Sequence, residues 1–320
     1  MNPLSKLINP RLPMAAIGLE RGNASAILLN RQRGQFALRR AASMVLPSSL
    51  LVPSFDEPNI AHLDELADAL AELVASAGLP RQQRWSIALP EAATRAVIMT
   101  LEGATSSRAE LEEVLRWKIE RGFGATYDEL RVSRERLSPD ASGRARYLAV
   151  GMRLDILAEY EGVFSSLGWH TGLVLPRHVG EERWLSRFGN GNGTDTDSLL
   201  ISSHPEGFTA VMLHGTQPVI VRSVLCDEED RVDELYRLLL FYRDRVRGAQ
   251  TTERLQQGIE RYLVVGNGSK FENLGEMIDE TLGTPAHALD AADVGLRLPS
   301  SDLSFDTIAA PAGLAALAWA

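Results

Sequence analysis

The stretch Ile17-Gly18-Leu19-Glu20-Arg21-Gly22-Asn23-Ala24-Ser25-Ala26-Ile27-Leu28-Leu29 decides how the rest of this 320-residue chain is read. Two apolar runs, Met14–Leu19 and Ser25–Leu29, flank Glu20-Arg21-Gly22-Asn23. Gly22 and Asn23 accept positive φ at little cost, so the spacing predicts two antiparallel strands joined by a tight turn. A similar pair recurs downstream, where Ser198–Ser202 and Phe208–Leu213 enclose His204-Pro205-Glu206-Gly207. Near the end, Tyr262–Val265 runs into Gly266-Asn267-Gly268-Ser269 and then a helical pattern.

Between these landmarks, Phe36–Val45 alternates well enough for a third strand, and the proline-rich Leu46–Asn59 reads as a loop. Leu63, Leu66, Ala67, Leu70, Leu73, Val74 and Ala77 keep helical spacing up to Gly78-Leu79-Pro80, and Trp85–Leu89 is a strand. Residues 94–175 read as a β-α-β-β-α-β block with its own helices and sheet. Ser106 or Ser107 caps its first helix, and Asp155 its second. Pro176–Phe188 reads as a helix returning to the first domain, and the glycine-rich Gly189–Asp197 as a linker. Leu199–Val224 supplies three strands and Val232–Val246 a helix. Tyr262–Val265, Phe271–Leu282, Ala286–Leu289 and Ile308–Ala318 continue as strand, helix, strand and buried helix. The expected division is a tail (1–13), a first domain (14–93 and 176–190), an inserted subdomain (94–175) and a second domain (197–320). Both domains share one plan, as a duplicated unit would.

A hydrophobic content of 45% with 23% charged residues is ordinary for a globular protein. The net charge of −9 argues against a nucleic-acid partner, and Arg31–Arg40 reads as a solvated basic face. The single cysteine, Cys226, suits a reducing compartment and has no neighbours that would make it a nucleophile. Apolar runs fall far short of the roughly 20 residues a membrane helix requires, so a cytoplasmic location without direct membrane insertion is expected. The six histidines show no metal-ligand spacing, and no Gly-x-Ser-x-Gly is present.

Hairpin, hairpin, then a strand entering a glycine-rich helix start resembles the order of the phosphate-1, phosphate-2 and adenosine motifs of actin-like ATPases. The implied fold is α/β and RNase-H-like, with two duplicated domains and an inserted small subdomain. More closely, the chain resembles the type IV pilus assembly PilM family. The likeness rests on Ile17–Ser25, Ile87-Ala88-Leu89-Pro90, Glu110-Leu111, Gly266–Leu274 and the closing Ala309-Ala310-Pro311-Ala312-Gly313-Leu314-Ala315. The L protein of type II secretion is a similar scaffold.

Family members that bind ATP resemble Asp-x-Gly-Ser-x-x-Val-Lys at the first loop. Here Glu20 stands for the Asp, Asn23 for the Ser, and Ile27 for the Lys. The second loop, usually Asp-x-Gly, reads Ser202-Ser203-His204. Phosphoryl transfer depends on placed charge and on backbone N–H groups that approach phosphate closely, and both are reduced here. Glu20, Gly22, Asn23, Ser25, Ser202, Gly266, Gly268 and Ser269 are therefore expected to form a vestigial nucleotide site. Glu91, past a strand end where sugar kinases of this fold place a base, reads as a surface carboxylate. No catalytic residue and no cofactor are expected, with ATP and Mg as the alternative.

The resemblance implies a cytoplasmic scaffold held at the inner membrane through partners. It would bind the N-terminal tail of a membrane-anchored PilN-like protein in a groove between first domain and insert, with an assembly ATPase as a further partner. A working ATP-binding protein or weak ATPase is the second expectation, and a sugar or acetate-type kinase the third. Leu7-Ile8-Asn9-Pro10-Arg11-Leu12-Pro13 resembles the partner tail and raises the idea that the groove is self-occupied.

Overall fold

In a computed structural model of the chain, Arg21 and Gly22 form a two-residue turn, with Glu20 opposite Asn23 and Gly22 at φ 79°. The structure describes residues 12–103, 107–140, 142–188, 196–247, 258–266, 271–298 and 303–319. The first half runs β1 (Ala15–Glu20), β2 (Asn23–Gln32), β3 (Gln35–Val45), α1 (Leu63–Ser76) and β4 (Arg84–Leu89). It continues through β5 (Arg95–Thr100), α2 (Arg108–Phe123), β6 (Leu130–Leu137), β7 (Arg146–Arg153), α3 (Leu154–Ser166), β8 (His170–Pro176) and α4 (Arg177–Phe188). The second half holds β9 (Asp197–His204), β10 (Gly207–His214), β11 (Gln217–Leu225), α5 (Arg231–Phe241) and β12 (Ile259–Val265). It ends with α6 (Leu274–Leu282), β13 (His287–Ala288), β14 (Leu296–Arg297) and α7 (Phe305–Ala316).

The strands form sheets of order β14-β3-β2-β1-β4-β8, β11-β10-β9-β12-β13 and β5-β7-β6. Apart from β14, the two large sheets have one topology: three antiparallel strands, then two added in parallel. β1 and β9 lie inside their sheets and are buried on both faces; β1 is apolar nearly throughout, whereas β9 carries buried Asp197, Ser198, Ser202, Ser203 and His204 around its apolar centre Leu199–Ile201.

Two elements assigned to the insert by sequence belong elsewhere. β8 pairs with β4 in the first sheet. α3 packs Ile156, Tyr160, Val163 and Phe164 against Leu66, Leu70 and Val74 of α1 in one core. Glu159 of α3 accepts the backbone N–H groups of Asn59 (2.8 Å) and Ile60 (3.0 Å), tying the helix to the first-domain loop. An amphipathic stripe says that a helix covers a sheet but not which sheet. The core of the third sheet is covered by α2, through Leu115, Ile119 and Phe123, with Phe55 joining from outside, while Met152 at the end of β7 packs into the α1–α3 core. Ser107 caps α2 as expected, accepting the Glu110 N–H at 3.1 Å. α3 instead begins after Arg153, and Asp155 lies within its first turn.

Helices α4 and α7 lie between the two large sheets. Their Trp184, Leu185, Ile308, Ala309 and Ala312 share a core with Ala16, Ile27 and Leu29 of the first sheet and Leu200, Val211 and Val265 of the second. The helices meet at Gly180 and Gly313. A Cβ added at Gly180 would lie 2.1 Å from the Ala310 carbonyl oxygen, and one at Gly313 1.8 Å from that of Gly180.

Candidate functional site

The β1–β2 hairpin ends on one side of the α4–α7 pair. The first residue of α4, Arg177, follows β8 directly, so its backbone is fixed by the sheet. The Arg177 guanidinium, almost fully buried, ion-pairs with Glu20 and with Glu181 one turn along (2.9 Å). Burial works against this cation, but Glu181 and Glu20 more than offset it and raise its pKa. Burial pushes the Glu20 carboxyl up, opposed by Arg177. Asp306, at the start of α7, is also raised by burial, with Glu181 adding to the effect as a like charge. The Ser25 hydroxyl donates to the Thr307 carbonyl at 3.0 Å, and Gly18 lies against Pro311. The space left among Glu20, Asn23, Ser25, Arg177 and Pro311 is about 20 Å³. That holds roughly one water molecule, whereas small-molecule sites measure roughly 300–1,000 Å³.

The β9–β10 turn is built differently from a phosphate loop. Arg231 clamps it from α5, donating to Ser203 Oγ (3.0 Å) and to the carbonyls of His204 (2.7 Å) and Pro205 (3.1 Å). Ser202 is fully buried, its Oγ without a hydrogen-bond partner among the described residues. Gly266 has φ 100°, and a Cβ there would lie 2.2 Å from the Ser203 carbonyl oxygen, so close strand packing already requires this glycine. Its N–H donates to Asp306 at 3.1 Å. Arg21 and Glu206 approach to 3.8 Å and link the two hairpins. Gly268 and Ser269 lie outside the described residues. Glu20, Asn23 and Ser25 therefore share one small cavity, Gly22 only shapes the turn, and Ser202 and Gly266 belong to the β9–β12 packing.

Glu91 is a correction. Rather than a surface carboxylate, it is buried (2% exposed) between the halves of the molecule. It accepts the backbone N–H of His178 at 2.6 Å, satisfying an otherwise orphaned donor in the first turn of α4. It also meets His178 Nδ1 at 2.8 Å and accepts the Thr209 hydroxyl of β10 at 2.9 Å. Burial alone would raise its pKa, but the His178 charge and hydrogen bonds bring it down to about 2. Burial lowers and Glu91 raises the His178 pKa, with a net rise. Both shifts favour the charged pair, an imidazolium beside a carboxylate. Sequence reasoning missed Arg177, His178 and Glu181; the Arg-x-x-x-Glu spacing was the only signal, and it occurs on many surface helices.

A larger groove of about 490 Å³ opens where the Pro53–Asp56 loop, β5 of the third sheet and β11 of the second sheet meet. Phe55, Val221 and Leu225 supply apolar surface, and Arg95, Arg222 and Glu206 charge. β5 and β11 are the edge strands of their sheets and lie beside one another, with Arg146 of β7 donating to the Pro218 (3.0 Å) and Val219 (3.3 Å) carbonyls of β11.

Duplicated sheets, a central helix pair and two hairpins facing across it define an actin-like ATPase fold. The sequence matches no protein-family model, and no curated protein matches it. Among solved structures, it is similar to a chain of a PilM–PilN type IV pilus biogenesis complex, with a TM-score of 0.71 and 20% identity over 97% of this chain and 99% of that one. It is also similar to a Bacteroides thetaiotaomicron protein with actin-like ATPase fold and unknown function (TM-score 0.51, 10% identity, 97% and 98% covered). Among the described residues no helix is long and apolar enough to cross a membrane.

Proposed function

We propose that this chain is a PilM-like structural component of a type IV pilus assembly platform, cytoplasmic and held at the inner membrane through its partners. It binds the N-terminal cytoplasmic tail of a membrane-anchored, PilN-like protein and does not turn over ATP. The observation that carries this reading is the contrast between two spaces. The cleft between the hairpins is filled by the chain's own Arg177–Glu20–Glu181 cluster, while the 490 Å³ groove beside β5 and β11 stands open. The residues of the cleft do not fit Mg-ATP. Glu20, Glu181 and Asp306 face a single guanidinium, so an added triphosphate would meet like charge where space for roughly one water remains. Support for the partner class comes from the full-length likeness to a chain of a PilM–PilN complex. An extended tail in that groove would set apolar side chains against Phe55 and Leu225.

The test is calorimetric titration of the full chain with a synthetic Ile-Asn-Leu-Leu-Pro-type peptide, with and without Mg-ATP. The expected result is peptide binding indifferent to Mg-ATP, lost in Leu225→Glu, and no heat from Mg-ATP alone. Low-micromolar ATP binding with turnover abolished by Glu20→Ala would instead establish the ATPase reading. A variant lacking residues 1–11, which the structure does not describe, tests self-occupancy: binding only after truncation would establish it.

A further inference from the structure

The end of α4 remote from the cleft carries a cluster that the scaffold reading does not use. Arg187 stacks on Phe36, its guanidinium carbon 4.2 Å from the ring centroid, and donates to the Gly34 carbonyl at 3.0 Å. Arg31, on β2, approaches the same ring at 5.8 Å. Burial, then the charges of Arg31 and Arg183, hold the Arg187 pKa below its ordinary value, so the three cations are near enough to repel one another. None of them makes an ion pair within 4.0 Å among the described residues, although the chain has 42 Asp and Glu. Burial raises the Glu182 pKa to about 7, with the charges of His178 and Arg183 opposing the rise. The β2–β3 turn adds Arg33, the one non-glycine residue with positive φ (50°) among those described. That conformation normally belongs to Gly, Asn or Asp. The two-residue turn Arg33-Gly34 requires positive φ at both positions, and it sets Arg33 at the tip of the hairpin that carries Arg31, where Arg31 and Arg187 meet no carboxylate within 4.0 Å among the described residues.

We propose that Arg31, Arg33, Arg183 and Arg187 form a recognition site for phosphate oxyanions, about 15 Å from the cleft along α4. Stacking on Phe36 fixes the Arg187 guanidinium, while the exposed Arg31 and Arg33 are free to close on a tetrahedral anion. Phosphate of this kind comes either as the headgroup of an anionic lipid or as a free ion. A lipid source would give the protein a direct electrostatic hold on the membrane face in addition to any partner tail.

The experiment uses the full chain with vesicles of phosphatidylcholine alone, or with 30% phosphatidylglycerol added, and in parallel with inorganic pyrophosphate. Co-sedimentation with the anionic vesicles only, falling steeply between 50 and 300 mM salt, is expected. Arg31→Gln and Arg33→Gln should each weaken it about fivefold, the factor matching one basic side chain at an anionic surface. Both residues are exposed, so these variants keep the fold; Arg187→Lys keeps the charge but removes the planar stack. Pyrophosphate binding lost in the same variants, without vesicle binding, supports the site and assigns the free ion as its source. Binding to neither probe, or binding unchanged in the double Arg31→Gln/Arg33→Gln variant, overturns the proposal.

Discussion

Replacing Glu91 by Ala tests whether this carboxylate is a structural joint between the halves or the catalytic base that its position past a strand end would suit. In the structure it answers to the first turn of α4, to the His178 imidazole and to Thr209 of β10. Removing it leaves a buried imidazolium and an orphaned helix N–H. Breaking a buried pair from one side costs about 3–5 kcal/mol. A second route gives a similar size: a carboxyl moved from 4.5 to about 2 carries roughly 3 kcal/mol of folding free energy when ionised. The corresponding fall in melting temperature for a chain of 320 residues is roughly 4–8 °C.

The pH dependence follows in sign from the two partners. The Glu91 contribution is complete above about pH 4.5 and is lost as pH falls toward about 2, through its lowered folded pKa. The His178 contribution is complete below about pH 6.5 and is lost as pH rises through its raised folded pKa. These are two views of one pair and are not summed. The gap between wild type and Glu91→Ala should therefore be widest near pH 5–6 and narrow on the acid side. Urea unfolding across pH 3–9 reads it directly, and a double variant, Glu91→Leu/His178→Phe, should recover much of the loss because it leaves no charge behind. A Glu91→Ala protein within 1 kcal/mol of wild type at pH 6 would refute the structural reading, whatever its effect on any activity.

Two further outcomes bear on the cleft and the helix crossing. Arg177→Met should destabilise by about 3–5 kcal/mol at pH 7 by stranding Glu20 and Glu181, and the deficit should shrink as pH falls and the buried Glu20, whose pKa burial already raises, takes up a proton; urea midpoints at pH 7 and pH 5 check this. Gly180→Ala should cost about 1–3 kcal/mol, because its Cβ would press on the Ala310 carbonyl and separate α4 from α7; a thermal melt unchanged from wild type would contradict the crossing.

How much was legible follows from which signals are local. The hairpins at Glu20–Asn23 and His204–Gly207, the duplicated plan and most strands could be read because turn chemistry and period-2 alternation act over a few residues. α3 was assigned to the wrong sheet because its partners, Leu66 and Leu70, lie far away in sequence. β14, a two-residue strand beside β3, is too short to leave any alternation and was missed altogether. Glu91 was misread for the same reason as α3: its environment is made by His178 and Thr209, both remote in the chain.

The cleft is closed by Ile27, Arg177, Glu20 and Glu181 acting together. Ile27 stands where resembling ATP-binding proteins place a lysine, and it is wholly buried in the layer that β2 shares with α4 and α7. No cation could reach the cleft from that position without stranding its charge in an apolar core. The cation enters instead from α4, as Arg177, at a helix N-terminus where a positive charge is unfavourable by itself. Two carboxylates correct this. Glu181 sits one turn along the same face, and Glu20, one methylene longer than the Asp it replaces, extends from the hairpin to the guanidinium. Restoring Asp at position 20 alone would shorten that reach and weaken the ion pair, yet the space would still be occupied by Arg177. Side chains about 150 residues apart in the sequence close the cleft, so reopening it requires changing β1, β2 and α4 together.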